Sequence, residues 1–258
     1  MSPSTLSLKR IRLRVKNLAR SVGFYRDQMG FVETACGSGA ALAVEPGAEP
    51  ILFLEEAASA PAALPSAAGL FHAALLLPRP EALGRWIVHA AERHTEFDGF
   101  SDHGVSEAVY LSDPDGNGLE FYCDRPRSQW PRHEGTLAMV TAPLDLDALI
   151  AKASPATPTP LSGAVWGHLH LRVTHLERSE RFYGPALGME VTQASFPGAR
   201  FMAADGYHHH LGLNVWGRPT APRSADALGL VEADFAKSGA AGGLLSDPDG
   251  IAIRLSAG

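Results

Sequence analysis

The stretch "LARSVGFYRDQMGF" (18–31) returns later in the chain as "LERSERFYGPALGM" (176–189). Identical residues recur at a constant offset of 158 positions, among them Leu18/Leu176, Ser21/Ser179, Phe24/Phe182, Tyr25/Tyr183 and Gly30/Gly188. A second pair, "SDPDG" at 112–116 and 246–250, repeats at an offset of 134. Self-similarity at a fixed offset indicates internal duplication. The chain therefore consists of repeated modules, and its last part is shortened.

Each copy opens with a strand followed by a helix. Residues 11–15 ("IRLRV") and 168–173 ("HLHLRV") alternate polar and apolar side chains, which predicts strands with one buried face. The helix positions repeat apolar residues at intervals of three and four, which places them on one face. Further strands are predicted at 50–56, 70–78, 107–113, 118–124, 200–205, 209–216 and 250–256, and a second helix at 80–94.

This pattern predicts an α+β fold of four βαβββ modules, the last one truncated and without a helix. Their ranges are 8–56 for module A, 69–123 for B, 166–217 for C and 228–256 for D. We expect an N-terminal domain at 1–124 with A and B, and a C-terminal domain at 166–258 with C and D. Residues 125–165 form a linker, rich in Pro, Ser and Thr around 154–162, with a short helix in "LDLDALIAKA".

The composition is that of a globular protein with a sizeable core. Hydrophobic residues make up 45% and charged residues 19%, and the net charge is −6. A basic footprint for nucleic acid or an anionic membrane is therefore not expected. Cys36 and Cys123 fit neither a metal knuckle nor a disulfide framework. The N-terminus has no apolar segment after its positive charges, so we expect the cytoplasm.

The stretch "DHGVSEAVYLSDPDGNGLEFY" (102–122) contains several residues that could bind a metal or take part in catalysis. Glu120 alternates with Leu119 and Phe121, so its side chain is expected on the face opposite the helix layer. His72 and His168 lie on the first strands of modules B and C. Two imidazoles and one carboxylate suit a divalent metal such as non-haem Fe(II) and leave coordination positions open. A solvent-facing Glu paired with Arg, and an ordinary turn at DPDG, are the simpler alternatives.

A run of histidines follows in module C. His208, His209 and His210 lie at the start of a predicted strand, and the choice between His209 and His210 as an acid/base residue is open. His208 is expected at the rim. We predict that five residues contact the substrate, Tyr122, His170, His208, Asn214 and Trp216, although ordinary packing also explains the aromatic ones.

The repeats with their "FY" openings and "DPDG" closings resemble the vicinal oxygen chelate superfamily, which includes glyoxalases, bleomycin-resistance proteins and extradiol dioxygenases. The series His103, Tyr110, Glu120 around the DPDG turn resembles the signature of type I extradiol ring-cleavage dioxygenases, the group of the bacterial catechol 2,3-dioxygenases. The resemblance implies curved mixed sheets, an iron ligand at Glu120, catalytic roles for His103 and Tyr110, and an acid/base histidine at His209 or His210.

Some positions depart from the family pattern. Arg254 stands where the last module would carry its Glu, Leu230 or Val231 stands where it would carry its His, and Arg10 occupies the position of His168. Neither the first two modules, A and B, nor the last two, C and D, can then build the site alone. Modules B and C together supply every functional position, so we expect B to pair with C across the linker and A with D. Pairing in chain order, A with B and C with D, is the alternative.

The expected function is Fe(II)-dependent extradiol cleavage of a catechol-type diol with O2, in aromatic compound degradation, with Mn(II) as a substitute metal. His72, His168 and Glu120 are the expected metal ligands. One alternative is a glyoxalase-like isomerase or lyase with Zn or Ni, in which His210 is the fourth ligand. Another is a metal-free binding protein of the bleomycin-resistance type. The expected partners are an aromatic diol and O2, with no nucleic acid and no membrane; a homo-oligomer is allowed.

Overall fold

The fold is described from a computed structural model, which covers residues 5–64, 66–153 and 159–258. The part of the predicted Pro, Ser and Thr-rich linker segment at 154–158 lies outside the described residues. Three predicted modules, A, B and C, contain a strand, a helix and three further strands. Module D has three strands, and none of its residues, all of which are described, forms a helix. The α+β class is confirmed.

The first half of the chain contains modules A and B. Module A comprises β1 (Leu6–Val15), α1 (Leu18–Gly23), a π-helical turn (Phe24–Gln28), β2 (Val32–Thr34), β3 (Ala40–Ala43) and β4 (Leu52–Glu56). Module B comprises β5 (Gly69–Leu76), α2 (Pro80–Ala91), β6 (Gly99–Asp102), β7 (Ser106–Ser112) and β8 (Gly118–Asp124). Helix α1 begins after Asn17, whose Oδ1 accepts a hydrogen bond from the Arg20 amide at 2.8 Å and so caps the helix.

The second half begins with the linker elements. They are a 3₁₀ turn (Arg127–Gln129), the short strands β9 (Arg132–His133) and β10 (Thr136–Leu137), and α3 (Leu146–Ala151). Module C comprises β11 (Val165–Arg172), α4 (Leu176–Leu187), β12 (Glu190–Gln193), β13 (Ala199–Ala203) and β14 (Leu211–Asn214). Module D comprises β15 (Gly229–Lys237), β16 (Gly243–Ser246) and β17 (Ala252–Ala257).

The modules combine into two mixed sheets. An eight-stranded sheet, ordered β12-β13-β14-β11-β5-β8-β7-β6, joins modules C and B, and a seven-stranded sheet, ordered β16-β17-β15-β1-β4-β3-β2, joins D and A. The joints are antiparallel: β11 pairs with β5, and β1 with β15. The predicted pairing of B with C is therefore confirmed, and each sheet takes strands from both sides of the linker.

Several boundaries differ from the predictions. The strand predicted at 209–216 begins at Leu211, so His209 and His210 precede it. The strand predicted at 250–256 begins at Ala252, and helix α2 ends at Ala91 instead of residue 94. Eight strands were not predicted: β2, β3, β6, β9, β10, β12, β15 and β16. All except β15 have four residues or fewer, which leaves too little alternation to detect. β15 has nine residues and was missed because its alternation of polar and apolar side chains covers only its middle.

The repeated Tyr and DPDG elements link neighbouring modules. The Tyr25 hydroxyl of module A donates to Asp113 Oδ2 of module B at 2.9 Å, and the Tyr183 hydroxyl of module C donates to Asp247 Oδ2 of module D at 2.8 Å. Both tyrosines are fully buried. Buried hydroxyls and carboxylates are stable only when paired, so these contacts fix how successive modules sit together. The conspicuous DPDG turn is thus a docking element as well as a bend.

Packing of the helix layer sets the direction of the side chains on β8. Phe121 stacks on Trp86 of α2 with ring centroids 3.6 Å apart, and Trp86 is fully buried. Side chains alternate along a strand, so Glu120 and Tyr122 take the opposite face. The apolar face of β8 thereby directs Glu120 into the space that the sheet encloses.

Candidate metal centre

Three adjacent strands, β11, β5 and β8, bring His168, His72 and Glu120 together. Ala74 on the middle strand pairs with His168 on one side and with Glu120 on the other. Its small side chain leaves room between them, and His72, two residues earlier, shares the same face. The predicted ligands thus converge from two modules onto one point.

The ligand atoms of this triad all lie within 4.8 Å of one another. His72 Nε2 is 3.0 Å and His168 Nε2 is 3.2 Å from the same oxygen, Glu120 Oε2. All three residues are buried. Among the described residues, His72 Nε2 has no hydrogen-bond partner of good geometry, so this buried nitrogen can bind a ligand.

The electrostatics of the triad fit a divalent cation. Burial alone would raise the pKa of Glu120, but His168 and His72 outweigh it and hold this pKa well below its usual range, which requires positive charge nearby. Burial also lowers the pKa of His168, although Glu120 opposes the shift, and so favours the neutral imidazole. A metal ion meets both demands, since it supplies charge to the carboxylate and binds neutral imidazoles through their lone pairs.

His103 and Tyr110 form a hydrogen-bonded pair beside the triad. His103 Nε2 lies 2.7 Å from the Tyr110 hydroxyl, and His103 Nδ1 lies 2.7 Å from the Val140 carbonyl. A carbonyl only accepts, so Nδ1 carries a proton and any second proton sits on Nε2. Burial and the nearby Glu120 raise the pKa of Tyr110 well above its usual value, so its hydroxyl stays protonated.

His209 is held by a chain of hydrogen bonds on the other side of the site. Its Nδ1 lies 2.7 Å from His208 Nδ1, and His208 Nε2 lies 2.8 Å from Asp124 Oδ1. Asp124 accepts the Nε2 proton of His208, so a neutral His208 must accept the Nδ1 proton of His209. His209 Nε2 is thereby left with a free lone pair. Burial, reinforced by His168 and His208, lowers the pKa of His209 well below its ordinary value.

His210 lies elsewhere. Its Nδ1 accepts a hydrogen bond from the Ala204 amide at 3.3 Å, and its side chain lines a different cleft together with Arg127 and Trp166. Burial lowers the pKa of His210 to about 4. The structure therefore brings His209, and not His210, to the cavity that contains His72 and Glu120.

A cavity of about 300 Å³ opens over the triad. Its lining includes five ionisable residues: His72, Glu120, His103, Tyr110 and His209. The remaining lining residues are mostly aromatic or apolar: Phe71, Met139, Phe196, Phe201 and Trp216, with His170, Ser101 and Thr141. None of these described lining residues is a Lys or Arg. The cavity thus combines ionisable groups at its base with an apolar wall.

His170 lies among the aromatic side chains. Its Nε2 is buried without a hydrogen-bond partner, and burial lowers its pKa well below the ordinary value. A Cβ on Gly212 would lie 2.8 Å from the imidazole ring, so only glycine at this position lets the ring lie over the neighbouring strand. Trp216 stands beside it, with ring centroids 5.4 Å apart.

The other predicted substrate contacts lie behind the cavity wall. The Tyr122 hydroxyl bonds to the Tyr207 hydroxyl at 2.9 Å, and Asn214 Oδ1 accepts from the Trp216 amide at 3.1 Å. His208 reaches the cavity only through His209. Sequence reasoning did not single out Phe71, Phe196 or Phe201 as lining residues, because an aromatic residue on a strand carries no signal that separates a cavity wall from a core.

Comparisons with known proteins agree with this architecture. The family model of the glyoxalase/bleomycin resistance protein/dioxygenase superfamily matches residues 7–121 and 166–242. The chain belongs to this superfamily. It is 41% identical over 226 residues to a Bacillus subtilis (strain 168) protein named catechol-2,3-dioxygenase, covering 85% of this chain and 78% of the relative.

Solved structures show the same fold at low sequence identity. A dioxygenase candidate from Bacillus subtilis matches with a TM-score of 0.65 and 11% identity, covering 97% of this chain and 84% of that one. Glyoxalase I from Zea mays matches with a TM-score of 0.55 and 16% identity, covering 98% and 92%. Among the described residues, no helix is both long and apolar enough to span a membrane.

Proposed function

We propose that this superfamily member is an Fe(II)-dependent extradiol dioxygenase that opens the ring of a catechol with O2. The observation that carries the proposal is the buried convergence of His72, Glu120 and His168 beneath one aromatic cavity, with a hydrogen-bonded acid/base group on either side. The similarity to a protein named catechol-2,3-dioxygenase supports it. In the reaction the carbon–carbon bond beside the diol breaks, and both oxygen atoms enter the product.

The metal would be held by the two imidazoles and the carboxylate. Three protein ligands leave positions for two neighbouring diol oxygens and O2. When bound, Fe(II), or Mn(II) in its place, lowers the pKa of the diol hydroxyls and brings the diol and O2 together. Glu120 would offset part of the charge of the ion within the buried site, and the two imidazoles would bind it through their lone pairs.

His209 is the proposed general base. Its Nε2 lone pair is free because Nδ1 donates to His208, and its low pKa keeps the imidazole unprotonated at neutral pH. It can therefore accept a hydroxyl proton from the diol. On the opposite side, His103 Nε2 and the Tyr110 hydroxyl hold a proton that can be donated to developing negative charge on oxygen.

The cavity wall favours a neutral or apolar ring substituent. Phe71, Phe201 and Trp216 offer flat apolar surface, and the described lining residues include no cation that could balance a carboxylate on the substrate. The unpartnered Nε2 of His170 adds one polar contact within this wall. We therefore expect alkyl or aryl catechols to bind better than dihydroxybenzoates.

The two alternatives are less well supported. A glyoxalase-like isomerase with Zn or Ni was expected to use His210 as a fourth ligand, but His210 lies on a different cleft. A metal-free binding protein would bury Glu120 and several imidazoles with no ion to balance them. The two free cysteines, Cys36 and Cys123, fit a reducing compartment, so the cytoplasm is the proposed location.

The test is oxygen uptake by protein loaded anaerobically with Fe(II). We expect uptake and a yellow ring-fission product with catechol, 4-methylcatechol and 2,3-dihydroxybiphenyl, and little with 3,4-dihydroxybenzoate. His168→Ala should abolish both iron retention and turnover, whereas His133→Ala, at an exposed position of β9, should leave both unchanged.

Two results would contradict the proposal. Iron that stays bound in stoichiometric amount while no catechol draws oxygen would favour the isomerase. Iron that is not retained by the wild-type protein would favour the metal-free binding protein.

A further inference from the structure

The second sheet contains a cleft at the place that corresponds to the metal centre. The offset of 158 relates His168 and His170 on β11 to Arg10 and Arg12 on β1. His170 pairs with His72, and Arg12 pairs in the same way with Glu232. On the next strand Glu120 corresponds to Arg254, at the offset of 134.

In the second sheet, the positions that correspond to the metal ligands His168, His72 and Glu120 are therefore occupied by Arg10, Glu232 and Arg254. The sequence-based expectation that Leu230 or Val231 takes the place of His72 is therefore wrong. Leu230 is buried and pairs with Leu13, whereas Glu232 shares the face of the cleft. The expectation failed because a sequence offset cannot be read across module D, which lost its helix and changed its spacing.

The carboxylates of this cleft are already neutralised. Arg254 Nη2 lies 2.7 Å from Glu232 Oε2, and Arg10 Nη2 lies 2.9 Å from Asp234 Oδ2. Ser256 also donates to Asp234 Oδ1 at 2.9 Å. Two guanidinium groups thus occupy the oxygens that a metal would need, which excludes a second metal centre of the first kind.

Arg12 is the third guanidinium group of the cleft, and it belongs to neither of these two ion pairs. Its guanidinium carbon lies 5.2 Å from the centroid of the Phe53 ring, and no carboxylate of the described residues pairs with it. Three guanidinium groups, Arg10, Arg12 and Arg254, face two carboxylates, Glu232 and Asp234, across a cavity of about 290 Å³. The lining therefore carries one excess positive charge beside the apolar ring of Phe53.

We propose that this cleft binds a small organic anion: one carboxylate group paired with Arg12, attached to a flat or apolar body that packs on Phe53. A carboxylate accepts two parallel hydrogen bonds from a guanidinium, which matches the geometry of Arg12. The single excess charge favours a monoanion over a polyanion. The site lies on the other sheet from the metal triad, so the inference does not depend on the proposed oxidation.

The test uses 4-fluorobenzoate as the probe and 4-fluorobenzamide as its neutral counterpart, each titrated into the protein and followed by ¹⁹F NMR. We expect saturable binding of the benzoate and much weaker binding of the benzamide. Arg12→Gln should weaken benzoate binding about fivefold or more, as loss of one ion pair would. Arg12→Lys should retain most of it. Arg181→Gln, at an exposed position of α4, is the matched control and should change nothing.

Phe53→Leu provides a second test that leaves the charges intact, and it should weaken the benzoate through the lost ring contact. Circular dichroism spectra would confirm that each variant is folded. The proposal is overturned if the benzoate shows no saturable binding, if the benzamide binds equally well, or if Arg12→Gln and Arg181→Gln have the same affinity as the wild type.

Discussion

At the scale of single residues, the neighbours of His209 decide how it can act. Asp124 accepts from His208, and this fixes which nitrogen of His209 carries the proton. An Asn at position 124 has no charge and can also present an amide donor to His208, which favours the wrong tautomer. We predict that Asp124→Asn lowers kcat about 10- to 100-fold with little change in KM.

The controls for this substitution separate catalysis from metal loss. Iron content of Asp124→Asn should equal that of the wild type, and Asp226→Asn, an exposed change, should keep full activity. NMR of ¹⁵N-labelled histidines would show the His209 tautomer directly. Unchanged kcat in Asp124→Asn would mean that the chain of hydrogen bonds has no catalytic role.

The sequence identified the triad but not these supporting contacts. His72, Glu120 and His168 could be identified from the sequence because alternation along a strand predicts which residues share a face. The choice between His209 and His210 stayed open because two sequence patterns disagreed: the spacing from the turn favours His210, and the apolar pattern that follows favours His209. The strand predicted at 209–216 begins only at Leu211, so alternation could not decide between them. The link from His209 to Asp124 joins two modules and has no local sequence signal.

At the scale of elements, the joint between β11 and β5 depends on small residues. A Cβ on Gly167 of β11 would lie 1.8 Å from the Tyr122 hydroxyl, which bonds to Tyr207. Gly167→Ala must therefore displace a fully buried tyrosine. We predict a loss of about 1–3 kcal/mol in the free energy of unfolding, measured by urea denaturation.

A second glycine provides the comparison. A Cβ on Gly99 of β6 would have no neighbouring atom within 4 Å, and the backbone there needs no left-handed conformation. Gly99→Ala should leave the free energy of unfolding almost unchanged or slightly higher. Equal effects of the two substitutions would show that the close approach of Gly167 and Tyr122 is unimportant for stability.

At this scale most long strands were predictable and most short ones were not, although the nine-residue β15 was missed. Strands β5, β8 and β11 have seven or eight residues and were predicted close to their observed bounds, β8 and β11 from alternation and β5 from its apolar run. The π-helical turn at Phe24–Gln28 was not predicted, because the sequence pattern there fits an ordinary helix equally well.

At the scale of the whole molecule, buried histidines make stability depend on pH. The pKa of His210 is lowered to about 4, whereas an unfolded His titrates near 6.5. The unfolded chain therefore binds this proton first, and stability is lost as pH falls from about 6.5 through 4. For His210 alone the loss should reach about 3 kcal/mol at most.

Urea denaturation of the metal-free protein at several pH values between 7 and 4 checks this prediction. His210→Phe has no proton to bind, so its stability should fall less steeply over the same range. Parallel curves for the variant and the wild type would show that His210 does not contribute to the acid sensitivity.

Module pairing was also predicted at this scale, from chemistry instead of topology. Only modules B and C together supply two imidazoles and a carboxylate, and the eight-stranded sheet joins these two modules. The charged side chains that line the second cleft were not predicted, because Glu232 could be placed opposite Arg12 only once the strand register was known.

The most direct test of the central claim is an anomalous difference map at the iron absorption edge, from crystals loaded with Fe(II) and grown with a catechol in the absence of O2. We predict one strong peak between His72 Nε2, His168 Nε2 and the Glu120 carboxylate, with the diol density beside it and close to His209. A peak at any other position, or catechol density in the cavity with no metal beside this triad, would contradict the account.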